Sequence, residues 1–158
     1  MVEEVIKKFG HIDCLVNNAA ISRDNYFEEK DSNEFKNVVN TNLFGTYLMC
    51  KFVGVKMLEN KNGRIINISS TNAIDTNETF SMDYDASKAG VISLTRNFAK
   101  ILSPYVQVNT IAPGWTKTEP VLEMNPNYIK EEEEKILIYF SRMCCLLIIV
   151  SLIMRQNV

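Results

Sequence analysis

The six residues RIINIS, Arg64 to Ser69, hold isoleucines at 65, 66 and 68 with no charge between them. So short an apolar run predicts a β-strand covered on both faces. On its N-terminal side, Asp31 followed by Glu34 has the form of a helix cap. Phe35, Val38, Val39, Leu43, Tyr47 and Leu48 then recur at helical spacing toward an end between Asn60 and Gly63. On its C-terminal side, Ser81 stands where it can cap a helix from Met82 to Leu102. Val91, Leu94, Phe98 and Leu102 line one face of that helix, and Ser103-Pro104 stops it. IDCLVN from Ile12 and VQVNTI from Val106 read as two more strands, and residues 2 to 9 as the last turns of a helix stopped by Gly10. Strand, helix, strand, helix, strand with right-handed crossovers predicts an α/β fold: one βαβαβ half of a doubly wound parallel sheet.

A chain of 158 residues that is 46% apolar has material for one sizeable core. Its net charge of -2 and scattered Lys and Arg give no basic field, which argues against nucleic acid as a partner. Cys14, Cys50, Cys144 and Cys145 form no CxxC and no ligand cluster with His11, the single histidine. Reduced thiols, no metal site and a cytoplasmic location are the expectation. The opening MVEEVIKKFG is charged and helix-like, unlike a secretory signal, and His11 reads as a turn residue.

Three tyrosines have a lysine four residues on: Tyr26 with Lys30, Tyr47 with Lys51, and Tyr84 with Lys88. That spacing places both side chains on one helix face, but it does not tell the pairs apart. Position does. Tyr26 falls in a polar loop and reads as a surface residue, while Tyr47 sits among apolar helix neighbours and reads as core. Tyr84 follows the carboxyl end of the RIINIS strand, where Ser69 and Ser70 emerge and where open α/β sheets bind ligands. A tyrosine of ordinary pKa about 10 moves protons poorly at neutral pH. A lysine ammonium about 4 Å away would lower that value by roughly three units before desolvation is counted. Ser70 could hold a substrate oxygen while Tyr84 exchanges the proton, a geometry suited to carbonyl-alcohol interconversion.

NNAA at 17 to 20, NTNLFG at 40 to 45, NISS at 67 to 70, YDASKAG at 84 to 90 and VNTIAPGWTKT at 108 to 118, in that order, resemble the classical short-chain dehydrogenase/reductase family. The resemblance runs from Val2 to Thr118 and implies a Rossmann-like fold. ISRDN at 21 to 25 is similar to 3-oxoacyl-acyl-carrier-protein reductases. The resemblance makes Tyr84 the proton donor or acceptor. Lys88 would depress the pKa of Tyr84 and grip the nicotinamide ribose, Ser70 would orient the substrate oxygen, and Asn42 would hold a relay water. It also places Asn18, Ala19, Ala20, Pro113, Gly114, Thr116 and Thr118 around NAD or NADP. The implied activity is hydride transfer between that cofactor and a small-molecule carbonyl or secondary alcohol, 3-oxoacyl thioesters among them. Homo-oligomers through the two long helices are implied as well. The alternative is a catalytically silent module that pairs with an intact reductase through those helices.

The sequence departs from the family in three places. Neither GxGxxG nor TGxxxGxG occurs in the 158 residues, so weak cofactor binding and a three-stranded sheet with an exposed apolar edge are expected. Ala20 stands where the motif usually has glycine, and it would be strained if that position needs positive φ. Residues 1–120 read as the partial catalytic domain and 121–158 as a divergent helical or apolar tail. Residues 131–134 form a solvated acidic face, and Arg142 interrupts the apolar run from Ile136 to Met154, which argues against membrane insertion. Both atypical ends read as those of a truncated or altered copy of a longer reductase.

Overall fold

The computed structural model describes residues 1–74, 79–114, 116, 125–127, 129, 130 and 148–150. Strand β2, Gly63–Ile68, pairs in parallel with β1, Cys14–Asn17, on one side and with β3, Val106–Ala112, on the other. Chain order and sheet order agree, β1-β2-β3, so both crossovers step in the same direction and right-handedness puts their helices on one face.

The first crossover is one helical rod in three parts: α2, Ser32–Val39, a π-helical turn at Asn40–Phe44, and α3, Gly45–Glu59. Asp31 caps it, its side chain accepting the Asn33 N–H at 3.1 Å. Glu34 does not complete a capping box; it accepts from Asn25 Nδ2 at 2.9 Å and ties down the preceding loop. The second crossover is α4, Met82–Leu102. Ser81 stands at its N-cap, yet its hydroxyl donates to Asp85 Oδ1 at 3.1 Å instead of accepting a helix N–H. The short helix α1, Val2–Phe9, ends at Gly10, whose φ of 86° suits a residue without a Cβ.

Cys50, Val53 and Met57 of α3, Phe98, Ala99 and Leu102 of α4, Ile65 of β2, and Val106 and Val108 of β3 form the core. This corrects the expectation that RIINIS is covered on both faces. Ile65 and Asn67 are fully buried beneath the helices, while Arg64, Ile66 and Ile68 on the other face are exposed or half-buried. Consecutive isoleucines report apolarity, but alternation of side chains across the pleat assigns them to opposite faces. Val16 of β1 is likewise exposed, so that strand also lies half open.

The sheet also has four strands, not three. Strand β4, Ile148–Val150, pairs antiparallel with the end of β3, Ala112 opposite Ile148. A strand from the 121–158 segment thus satisfies backbone groups on the β3 side, while β1, the strand expected to be bare, remains an edge among the described residues. Among the described residues no helix is long and apolar enough to cross a membrane. Residues 131–134 lie outside the described residues.

Candidate active site

The carboxyl ends of β1, β2 and β3 open on the same edge of the sheet, and every described candidate residue collects there or beside it. Ser69 and Ser70 leave β2 directly. The Ser69 N–H donates to Ile111 O at 2.7 Å and its hydroxyl to Lys88 O at 2.8 Å, pinning the strand end to β3 and α4. Ser70 is 9% exposed and hydrogen-bonds the Tyr84 phenol. Lys88, one helical turn beyond Tyr84, is 3% exposed. Its ammonium donates to Ile68 O at 2.7 Å and lies 5.5 Å from the centre of the Tyr84 ring. Serine, tyrosine and lysine therefore meet as the sequence led us to expect.

The electrostatics differ from the expectation. Burial pushes the Tyr84 phenol above its ordinary value; the Ser70 hydrogen bond opposes this, and the carboxylates of Asp85 and Asp24 add to it. Lys88 is not among the groups that shift it; its ammonium is engaged with the Ile68 carbonyl. Burial pulls Lys88 itself down, from 10.5 to about 8.

That shift makes a stability prediction. Between pH 8 and 10.5 the unfolded chain keeps a lysine proton that the folded chain has released, so stability rises with pH across this window. The burial penalty is fully in force below pH 8 and gone above 10.5. Lys88→Met should remove the rise, worth roughly 3 kcal/mol at most, from urea unfolding curves taken at pH 7.5 and 10. Equal pH dependence in both proteins would refute it.

Asn42 lies in the π-helical turn and is 1% exposed. Its Oδ1 accepts Ile21 N–H at 2.9 Å, and its Nδ2 donates to Ile21 O at 2.9 Å and Ser87 Oγ at 3.1 Å. Both amide hydrogens are thus committed to clamping the loop after β1 onto α4. The close approach of these elements also uses Gly90, where a Cβ would stand 2.8 Å from both Leu43 methyl carbons.

Asn18, Ala19 and Ala20 follow β1 and are exposed. Ala20 is not strained: among the described residues Lys61, φ 53°, is the non-glycine residue with positive φ. Pro113 and Gly114 are half-buried at the end of β3, and Pro113 O accepts Thr71 N–H at 3.0 Å. Thr116 is exposed and donates to Gly114 O at 3.3 Å; Thr118 lies outside the described residues.

Sequence reasoning missed the groups that hold this edge together. Asn17 Nδ2 donates to Asn67 Oδ1 at 2.8 Å, Asn67 Nδ2 to Thr95 Oγ1 at 2.9 Å, and Thr110 Oγ1 to Asn67 O at 2.8 Å. It also missed Lys30. The lysine of the Tyr26 pair turns away from that exposed ring, and its ammonium reaches 3.2 Å from both oxygens of Asp83, next to Tyr84. Two asparagines at the same place in paired strands, 17 opposite 67, were the available signal.

Comparison with known proteins accords with this geometry. The sequence pattern of short chain dehydrogenase matches residues 1–129. The chain is 39% identical over 132 residues to 3-oxoacyl-[acyl-carrier-protein] reductase FabG of Thermotoga maritima, covering 83% of this chain and 53% of that protein. It is also 39% identical over 130 residues to acetoacetyl-CoA reductase of an Acinetobacter species, covering 82% and 52%. A solved structure, ElxO with NADP bound, superposes with a TM-score of 0.73 at 34% identity, over 84% of this chain and 52% of that one. The chain spans about half the length of these relatives. A pattern match over most of its residues, together with the Ser70, Tyr84 and Lys88 cluster, places the chain in the short-chain dehydrogenase family.

Proposed function

We propose that residues 1–120 form the catalytic part of an NAD- or NADP-dependent oxidoreductase that interconverts a carbonyl and a secondary alcohol, with 3-oxoacyl thioesters as the substrate class. The convergence of Ser70, Tyr84 and Lys88 carries this reading. Their donor set fits the ribose and nicotinamide end of the cofactor, since Ile68 O takes one ammonium hydrogen of Lys88 and a lysine has three to give. Exposed Asn18, Ala19 and Ala20, with Pro113 and Gly114 opposite, flank that end.

The cofactor, when bound, supplies or accepts the hydride. Ser70 presents its hydroxyl to the substrate oxygen and aligns it with the Tyr84 phenol. Tyr84 donates its proton to that oxygen during reduction and recovers one during oxidation. Lys88, with ammonium hydrogens left beyond the one given to Ile68 O, would hold the hydroxyls of the cofactor's nicotinamide ribose. Asn42 fixes the Ile21 loop that borders the site. The relatives named for 3-oxoacyl and acetoacetyl thioester reduction support the substrate class.

A second reading has its own observation. Val39, Leu43, Phe44, Tyr47 and Leu94 line an open groove of about 550 Å³ between the α2–α3 rod and α4, and Phe44, Phe52 and Val55 are about half exposed. This apolar face suits pairing of the long helices with a second copy or with an intact reductase.

Calorimetric titration of the 158-residue chain with NADH and NADPH, beside an acetoacetyl-CoA reduction assay and sedimentation equilibrium, tests both readings. Without a glycine-rich turn to bind pyrophosphate, binding should be millimolar or weaker. The loss of about three charge-assisted hydrogen bonds costs roughly 5 kcal/mol. Complementation with the glycine-rich half of a relative should restore turnover. Full-strength cofactor binding in the complemented protein without any reduction would overturn the catalytic reading, and a monomer at all concentrations would overturn the pairing.

A further inference from the structure

Two carboxylates flank Tyr84 in the first turn of α4, and their surroundings differ. Asp83 is fully buried and neutralised: Lys30 lies 3.2 Å from both its oxygens, and its Oδ1 also accepts the Tyr84 N–H at 2.9 Å. Asp85 is 7% exposed, and among the described residues no cation pairs with it. Its Oδ1 accepts from Ser81 Oγ and from Asn72 Nδ2, each at 3.1 Å, while its Oδ2 is buried with no hydrogen-bond partner. A buried carboxylate oxygen without a donor is costly, so a fold that keeps one there leaves a feature to be explained.

The partners of Asp85 supply an explanation. Asn72 lies in the 3-10 turn Thr71–Ala73, which follows β2, and its own N–H donates to Ser70 Oγ at 3.2 Å. Ser70 in turn hydrogen-bonds the phenol of Tyr84, the neighbour of Asp85. Asp85, Asn72, Ser70 and Tyr84 thus close a ring that joins the end of β2 to the start of α4. We propose that Asp85 is a positioning residue: it braces the Thr71–Ala73 turn so that Ser70 stays against the Tyr84 phenol, and it places an uncompensated negative charge beside that phenol.

The inference rests on the reading of Tyr84 as the proton-transfer group, and it gives that reading a direction. A negative charge next to a phenol disfavours phenolate and keeps the proton on oxygen. Protonated tyrosine is the form that a carbonyl reduction draws on. Among the described residues, the other charges facing this turn do not cancel Asp85. Asp24, from the loop before α2, has the same sign; Lys30 is taken by Asp83; and Lys88 on α4 is held by Ile68 O. Glu34 of α2 is held by Asn25. The π-helical turn, the Thr71–Ala73 turn and β3 contain no ionisable side chain, and Arg64 stands at the far end of β2.

The test needs no turnover. Tyrosine labelled with carbon-13 at Cζ reports ionisation of each of the six phenols by NMR, and the signal lost in Tyr84→Phe assigns Tyr84. Asp85→Asn, which keeps the shape and removes the charge, should lower the Tyr84 midpoint by about half a pH unit or more. Asn72→Ala, which keeps the charge and removes the brace, should raise it by loosening the Ser70 hydrogen bond. Asp85→Glu should titrate nearer the parent than Asp85→Asn does. Opposite shifts in the first two variants are the signature, because a purely structural role would move both the same way. An unchanged or raised midpoint in Asp85→Asn overturns the proposal. If that variant does not fold, an unchanged midpoint in Asn72→Ala overturns the brace. Failure of the catalytic reading itself would appear elsewhere, as turnover retained by Tyr84→Phe.

Discussion

Tyr84→Phe is expected to lower carbonyl reduction by about 10²- to 10⁴-fold while leaving nicotinamide cofactor binding within about twofold. The substitution removes one oxygen and little volume. Lys88 keeps its bond to Ile68 O, and Ser70 keeps the Asn72 N–H, so the walls of the site stay in place. What disappears is the proton that the substrate oxygen must receive as the hydride arrives, and neither Ser70 nor the amide of Asn42 can supply it at neutral pH. The measurement is kcat and cofactor Kd for the parent and for Tyr84→Phe, each complemented with the glycine-rich half of a relative. Tyr26→Phe and Tyr47→Phe serve as controls, since Tyr26 is exposed and Tyr47 packs on Phe98. Retention of activity by Tyr84→Phe with loss in either control would assign the chemistry to the wrong pair.

The next largest effect is expected from a residue without a catalytic role. Lys30→Met should destabilise the fold by about 3 to 5 kcal/mol, because it leaves the carboxylate of Asp83 buried and uncompensated. Both side chains are almost wholly removed from solvent, at 5% and 0% exposure. Lys30 also donates to Arg23 O, so the same ammonium ties the loop after β1 to the first turn of α4. Lys30→Met/Asp83→Asn should recover much of the loss, because asparagine can still accept the Tyr84 N–H without carrying a charge. Urea unfolding of the two single variants and the double variant measures the coupling. A loss below 1 kcal/mol in Lys30→Met, with no recovery in the double variant, would mean that the pair contributes little.

Local sequence signals carried the order of elements because each rests on contacts between near neighbours. The Asp31 cap, the stop at Gly10 and the limits of α4 at Met82 and Leu102 agree with the structure. The same locality explains the misses. Nothing in NTNLFG announces a π-helical turn, which follows from how Asn42 and Leu43 fit against Ile21, Ser87 and Gly90, 21 to 47 residues away. Serine just before a helix usually accepts a helix N–H, and Ser81 stands at that position. Asp85, four residues on, captured its hydroxyl instead. The pairing of β4 with β3 joins residues 36 to 40 apart, and no periodicity in the apolar run after Arg142 reports such a partner.

The sequence by itself determined the parallel α/β framework and the meeting of Ser70, Tyr84 and Lys88 at the strand ends, since apolar pattern and position in the element order suffice for both. Only the tertiary structure decided their electrostatic state. Whether an ammonium four residues from a tyrosine acidifies it depends on which atom that ammonium reaches, and in this fold Lys88 reaches the carbonyl of Ile68. Burial and the charges of Asp24 and Asp85 then keep the Tyr84 proton in place. Lys30 makes the same point in reverse: the sequence pairs it with Tyr26, and the fold gives it to Asp83, 53 residues on. Spacing along a helix fixes which side chains can meet, whereas desolvation and competing partners fix what the meeting does.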